Sequence, residues 1–137
     1  MITSEVQWDA QRWPNFSFTE MRCQETGEMN LDPIFMDRVQ KFRTLYDHAV
    51  GVASGYRSPE HSIERTKEQG PGTHTFGRAW DPVVSSGSQI YQFIVIAIEC
   101  GFTGIGIQNR SGIRRMHLDD LDTPGTEQRP RPTLWTY

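Results

Sequence analysis

The chain has 137 residues, a net charge of −3 at neutral pH and a hydrophobic fraction of 36%, values that fit one globular domain spanning residues 1–137. Lysine and arginine total 14 against 17 acids, so there is no excess of basic charge for neutralising phosphates, and we expect no nucleic-acid partner. No stretch is long and apolar enough to predict membrane insertion. Cys23 and Cys100 match no zinc-finger spacing and are expected to be reduced and buried.

The first residues predict an arm without an export signal. Residues 1–9 lack the basic segment and apolar run of a signal peptide, which predicts synthesis in the cytoplasm. Residues 1–15 combine tryptophans with polar residues and Pro14, so we expect an irregular N-terminal arm whose rings pack on the domain.

Two long helices are predicted from capping residues and helical periodicity. Asp32 followed by Pro33 is a typical helix start, and apolar residues then recur at helical spacing to about Asp47. A second helix is predicted from a cap at Ser88, and Gly101 ends it. Their apolar stripes are expected to pack against a sheet.

Short strands are predicted at 50–54, 79–83, 104–107 and 113–118, where apolar runs lie between turn residues. Residues 122–137 are rich in proline and polar residues and predict an extended C-terminal tail, attached to the domain by its aromatic residues. The expected fold class is α+β, a small domain with a mainly antiparallel sheet and helices packed on it.

The segment 72–81 suggests a metal site. It places His74 and Asp81 seven residues apart, and on a strand Asp81 shares its face with the small Ala79, which leaves space for an ion. Gly77 permits a sharp turn that brings His74 back over this strand.

A catalytic zinc site typically has three protein ligands, so a third must come from elsewhere in the chain. His117 is the best remaining candidate among the four histidines. If 113–118 is a strand, His117 and Asp119 face the same way.

These residues resemble the zinc peptidases of the D-Ala-D-Ala carboxypeptidase (M15) family, which carry HxxGxAxD followed by an HxD strand. Residues 54–61 (SGYRSPEH), 101–106 (GFTGIG) and 135–137 (WTY) resemble three further family segments, in the same order. The resemblance implies a Hedgehog/D-Ala-D-Ala-peptidase-like fold. It also implies Zn²⁺ held by His74, Asp81 and His117, and a peptidoglycan peptide as substrate.

The resemblance implies roles for four more residues. Arg57 would bind a substrate carboxylate through its planar fork, with Tyr56 and Trp135 as further substrate contacts. From position alone, an ion pair of Arg57 with a nearby acid is the favoured interpretation, and the resemblance favours the substrate role instead. Asp119 is expected to be catalytic, either as the base or by orienting His117, and a solvated acid is the third alternative.

Two positions depart from the family pattern. Gly72 stands where similar enzymes often have serine, and Arg114 stands where they often have an acidic base. The resemblance as a whole still implies a zinc-dependent carboxypeptidase or endopeptidase, similar to an endolysin. The alternative is a catalytically degenerate metal-bearing module that binds the cell wall or serves as a structural part of a virion.

A cell-wall substrate combined with a small chain and no signal peptide also suggests where the protein acts. We expect a phage enzyme that reaches the wall after lysis, or one associated with the virion and its components. A cellular protein exported by another route is the alternative.

Overall fold

The structure is a computed structural model that describes residues 1–110 and 115–137. The helices are α1 (Phe18–Met21), α2 (Pro33–Tyr46), α3 (Ser62–Arg65) and α4 (Gly87–Cys100). The strands are β1 (Val52–Ser54), β2 (Ala79–Pro82), β3 (Gly104–Ile107), β4 (Met116–Asp119) and β5 (Thr133–Thr136). This architecture confirms the α+β fold class. The expected departure at Arg114, with the first residues of the strand predicted at 113–118, lies outside the described residues.

The five strands form one sheet in the order β1-β2-β4-β3-β5. The pairings of β1 with β2, β2 with β4 and β3 with β4 are antiparallel, whereas β5 runs parallel to β3. The tail that was expected only to be extended therefore adds an edge strand. Its Trp135 lies beside Gly106, which in turn is opposite His117 on β4.

One face of the sheet carries the hydrophobic core. Trp80 of β2 pairs with Leu118 of β4, and both side chains are fully buried. Phe42 of α2 lies edge-on to Trp80 at 5.6 Å between ring centroids, and to Phe93 of α4 at 5.0 Å. Because side chains alternate along a strand, residues next to Trp80 and Leu118 project from the opposite face.

The long helices begin and end at residues suited to those positions. As predicted, α2 starts after Asp32, whose carboxylate accepts hydrogen bonds from amides of the first turn. The helix ends as predicted at Asp47, which has φ 58°. The predicted cap of α4 at Ser88 is wrong, because Ser86 accepts from the Gln89 amide. The Gln89 side chain reaches back to the amide of Ser85, which fixes this earlier start.

The N-terminal arm packs onto the domain as expected. Trp13 is buried, Trp8 lies 5.0 Å from it between ring centroids, and Ile2 pairs with Leu31 through a β-bridge. A single 3-10 turn at Glu5–Gln7 is the regular structure within the arm. Both cysteines are free and buried, as predicted. None of the helices in the described ranges has the length and apolar character needed to cross a bilayer.

Candidate metal centre

Three side chains meet on the face of the sheet opposite the core. His74 lies in the 3-10 turn Thr73–Phe76, Asp81 lies on β2 and His117 lies on β4. Asp81 Oδ1 is 3.1 Å from His74 Nε2 and 3.1 Å from His117 Nδ1. The potential ligand atoms of the three residues all lie within 4.8 Å of one another.

The turn before β2 brings His74 over the sheet. Gly77 ends this turn with φ 71°, a conformation that glycine adopts without steric cost. A side chain at this position would also collide with the backbone carbonyl of Asn30. His74 Nδ1 donates to the Gly55 carbonyl oxygen at 2.7 Å, so Nε2 is the nitrogen left to bind a metal.

The geometry of these donors fits a zinc ion. Two ligands of a tetrahedral zinc, each about 2.0–2.1 Å from the metal, lie about 3.3 Å apart. The observed spacing of 3.1 Å between Asp81 Oδ1 and each imidazole nitrogen is close to that value. Two imidazoles and one carboxylate are also a donor set that zinc accepts in hydrolases, with a fourth position left open.

The charges of the cluster favour a bound cation. Burial would raise the pKa of Asp81, but the two imidazoles that hydrogen-bond to it lower that pKa, so its carboxylate is ionised. Burial lowers the pKa of His74, which keeps its imidazole neutral. Burial opposes the charge on His117, yet hydrogen bonds to Asp119 and Asp81 raise its pKa to about 9. In the metal-free site a proton on His117 therefore lies between Asp81 and Asp119, and a metal ion that binds His117 Nδ1 would displace a proton from this cluster.

Asp119 lies beneath His117 and is fully buried, so the alternative of a solvated acid is wrong. Its Oδ2 is 3.0 Å from His117 Nε2. Arg131 donates to both carboxylate oxygens, from Nε to Oδ1 at 2.8 Å and from a terminal nitrogen to Oδ2 at 2.6 Å. Burial alone would raise the pKa of Asp119, but these two partners lower it to about 2. Its geometry is that of a group that orients His117.

Two glycines of β3 create the space for this arrangement. A Cβ on Gly104 would lie 2.5 Å from the Asp119 carboxylate carbon, because the two residues are directly opposite each other. A Cβ on Gly106 would lie 2.9 Å from the Trp135 ring and 3.1 Å from His117 Cβ. The glycines of the 101–106 segment thus serve the site through the side chains they lack.

Arg57 is held by three partners at the edge of the site. It donates to Ser54 Oγ at 3.1 Å, to Glu64 Oε1 at 3.0 Å and to Asp81 Oδ2 at 3.3 Å. The ion pairs considered from position alone are therefore present. Arg57 nevertheless also lines the cleft above the metal ligands.

Glu64, on α3, was missed from the sequence although it is a buried acid next to the site. Besides Arg57, it accepts hydrogen bonds from Lys67 Nζ at 2.8 Å and from the Gly72 amide at 2.7 Å. A Cβ on Gly72 would lie 2.5 Å from Lys67 Nζ. The departure from serine at Gly72 thus accompanies an acid–lysine pair that fills the same space.

An open cleft of roughly 1130 Å³ lies over the three candidate metal ligands. It exceeds the size usual for a small-molecule pocket and suits a peptide segment. Trp135 lines the cleft, with its ring centroid 5.5 Å from that of His117. Tyr56 was expected to contact substrate, but it is 6% exposed, lies in the hydrophobic core and is not among the lining residues.

The fold and the site together define a small α+β domain with three candidate metal ligands at the floor of a cleft. The chain matches the family model described as Peptidase M15 over residues 14–119, which is well over half of its length. It therefore belongs to the peptidase M15 family, in agreement with the motifs of the sequence. No curated protein and no solved structure matches the chain.

Proposed function

We propose that this protein is a zinc metallopeptidase that hydrolyses peptide bonds in the stem peptides of bacterial cell-wall peptidoglycan. The observation that supports this most directly is the position of His74, Asp81 and His117, which share one small volume at the floor of the cleft. Membership of a peptidase family supplies the reaction class.

The charge of the cleft supports an anionic peptide as substrate. Acids outnumber bases in the whole sequence, but the described residues that line the cleft include only two acids, Glu68 and Asp81. The basic residues that line it are Arg57, Lys67, Arg110, Arg115, Arg129 and Arg131. Stem peptides carry free carboxylates, so such a lining attracts them and opposes cationic peptides.

The residues of the site have two roles in this proposal, to hold the metal ion and to orient one of its ligands. His74, Asp81 and His117 would hold a zinc ion, which would supply an activated water molecule and polarise the scissile carbonyl. Asp119 fixes the orientation of His117. Because both oxygens of Asp119 face other partners, we assign it to orientation and not to proton transfer.

Other cleft residues bind the substrate in this proposal. Arg57 has 15% of its side chain exposed, and we assign this part to a substrate carboxylate. Trp135 offers an apolar surface for the peptide next to His117. Burial raises the pKa of Tyr137 to about 12, so its phenol stays protonated at neutral pH and is available as a hydrogen-bond donor in the cleft.

A metal-bearing module that binds the wall without cutting it is the second candidate. It is favoured by the absence of a family-type serine at Gly72, and by the position of Asp119, whose carboxylate is fully buried and held by His117 and Arg131. The general base that similar enzymes use typically contributes 10²–10⁴-fold to the rate, so its loss would separate binding from hydrolysis.

One experiment decides between the two. Purified sacculi are incubated with the zinc-loaded protein, and released peptides or amino acids are identified by mass spectrometry while binding is measured by co-sedimentation. The enzyme predicts release that His74→Ala abolishes together with bound zinc, while His48→Ala, an exposed histidine outside the site, changes neither. Co-sedimentation without release in the wild type would establish the binding module instead.

We further propose that the protein acts on the wall as a phage lysis enzyme or virion component. The proposed substrate supports this, since an enzyme in a lysing cell or on an attached particle has direct access to the wall, and a cellular protein exported by another route is the alternative. Mass spectrometry of purified particles and of the lysate tests both locations. Detection only in uninfected cells would contradict the proposal.

A further inference from the structure

Arg131 lies outside the segment that matches the family model, yet it contacts the metal centre. The match ends at residue 119, and Arg131 follows twelve residues later, in the turn before β5. Its side chain is 5% exposed, and its guanidinium donates hydrogen bonds to both carboxylate oxygens of the fully buried Asp119. An arginine buried to this degree needs a specific partner, and Asp119 is that partner.

The tail holds this guanidinium from several sides. A terminal nitrogen of Arg131 donates to the Pro130 carbonyl at 2.7 Å, and its backbone amide donates to the Pro124 carbonyl at 2.9 Å. The guanidinium carbon lies 5.3 Å from the centroid of the Trp135 ring. Because Trp135 is paired with Gly106 in the sheet, the position of Arg131 is tied to β3 and through it to β4.

We infer that Arg131 is a positioning residue of the metal centre, which acts through Asp119 to orient His117. The inference rests on the proposed function, because it supposes that His117 binds zinc. It extends the site beyond the family segment by adding a residue of the C-terminal tail.

The contacts give the physical reason. His117 Nε2 has two neighbours, Asp119 Oδ2 at 3.0 Å and Thr73 Oγ1 at 3.2 Å. When Nε2–H donates to the carboxylate, Nδ1 keeps its lone pair and faces Asp81 Oδ1 in the ligand cluster. The carboxylate is a stronger acceptor than the hydroxyl, so its placement sets the ring orientation.

Arg131 determines that placement because its planar fork fixes both oxygens at once. A lysine would supply the same charge through a single ammonium group, which cannot hold the plane of the Asp119 carboxylate in the same way. Arg131→Lys therefore isolates the geometric contribution while it keeps the charge.

The test is a double-mutant cycle of Arg131→Lys and Asp119→Asn, read by zinc affinity in competition with a chromophoric chelator. Loss of a partner that orients a metal ligand typically lowers metal affinity ~10–100-fold, and we expect Arg131→Lys to lower it about tenfold. In the Asp119→Asn background the same change should have no further effect, because Arg131 acts through Asp119.

Arg12→Lys is the matched control. Arg12, in the N-terminal arm, forms a similar fork with Asp37 on α2, at 2.7 and 2.6 Å. It contacts none of the candidate metal ligands, so this change should leave zinc affinity unaltered. The visible spectrum of the Co²⁺-substituted protein supplies a second readout, since a reoriented His117 changes the ligand field of the ion, whereas a purely structural role of Arg131 does not.

Three outcomes would overturn the inference. The first is wild-type zinc affinity in Arg131→Lys, the second is full additivity of the two changes, and the third is an unchanged Co²⁺ spectrum. If Arg131→Lys does not fold, the double variant Asp119→Asn with Arg131→Gln, which removes both charges, is compared with Asp119→Asn alone. A lower zinc affinity in the double variant would also contradict the inference, because Arg131 would then act independently of Asp119. If the wild type binds no zinc, the proposed function fails as well, so the two failures are distinguishable.

Discussion

Replacement of Gly104 by alanine tests whether the space around the Asp119 carboxylate is as tightly packed as the distances indicate. Gly104 lies opposite Asp119, and the added Cβ would lie 2.5 Å from both Cγ and Oδ2 of that residue. Real Cβ atoms are not found so close to other atoms, so the carboxylate must move. It cannot move freely, because Arg131 and His117 hold it.

The magnitude follows from these contacts. Overpacking a tight interior costs about 1–3 kcal/mol, and loss of one hydrogen bond to a charged group costs a further ~1.5–3 kcal/mol. We therefore expect Gly104→Ala to lower the free energy of unfolding by about 3 kcal/mol or more. For a domain of this size the melting temperature should fall by roughly 12 °C. Zinc affinity should fall ~10–100-fold, since the carboxylate that orients His117 is displaced.

Urea denaturation of the metal-free protein and zinc competition with a chelator measure the two effects separately. Gly87→Ala is the matched control, because a Cβ on Gly87 meets no atom within 4 Å and the residue begins α4. That change should be neutral or should stabilise the fold by up to about 1 kcal/mol. Equal stability and equal zinc affinity in the two variants would refute the packing argument.

The remaining predictions concern Arg57 and the arm. Arg57→Lys should lower kcat/KM for wall peptides about tenfold or more, because lysine lacks the planar fork that can bind a substrate carboxylate while it also pairs with Glu64 and Asp81; elemental analysis should still find one zinc per chain. An unchanged kcat/KM would leave Arg57 a purely structural ion pair. The hydrogen bond from Arg12 holds the pKa of Asp37 below its ordinary value of 3.8, so this pair stabilises the fold above that pH and the contribution is lost as pH falls through the lowered pKa. The difference in urea midpoint between the wild type and Asp37→Asn should accordingly be present at pH 6 and shrink below about pH 4; a pH-independent difference would contradict it.

Much of the site was predictable because strand alternation is a local rule. Ala79 two residues before Asp81, Gly77 three residues after His74 and the two-residue spacing from His117 to Asp119 each place side chains by the geometry of one short segment. The structure brings the three ligands together and puts Asp119 on their side of the sheet. These relations needed no knowledge of how distant segments pack.

Contacts between distant segments were not predictable in the same way. Arg131 appeared as one of two arginines in a proline-rich tail, and its partner is set by the parallel pairing of β5, which no local pattern encodes. Glu64 lay in a polar stretch that reads as solvated surface, although it is buried by its contacts with Arg57 and Lys67. Its spacing of three residues from Lys67 was the available signal for such a pair.

The alternation of core and ligand residues along β2 and β4 has a consequence for how this domain can evolve. Trp80 and Leu118 pack the sheet against the helices, while their neighbours Asp81 and His117 line the cleft on the opposite face, with Asp119 buried beside His117. Substitutions on the cleft face can therefore accumulate without repacking the hydrophobic layer, provided that buried charges are removed in pairs. A lineage that lost hydrolysis would keep the same fold and much of the same cleft. In this architecture few substitutions separate a domain that hydrolyses a peptide from one that only binds it.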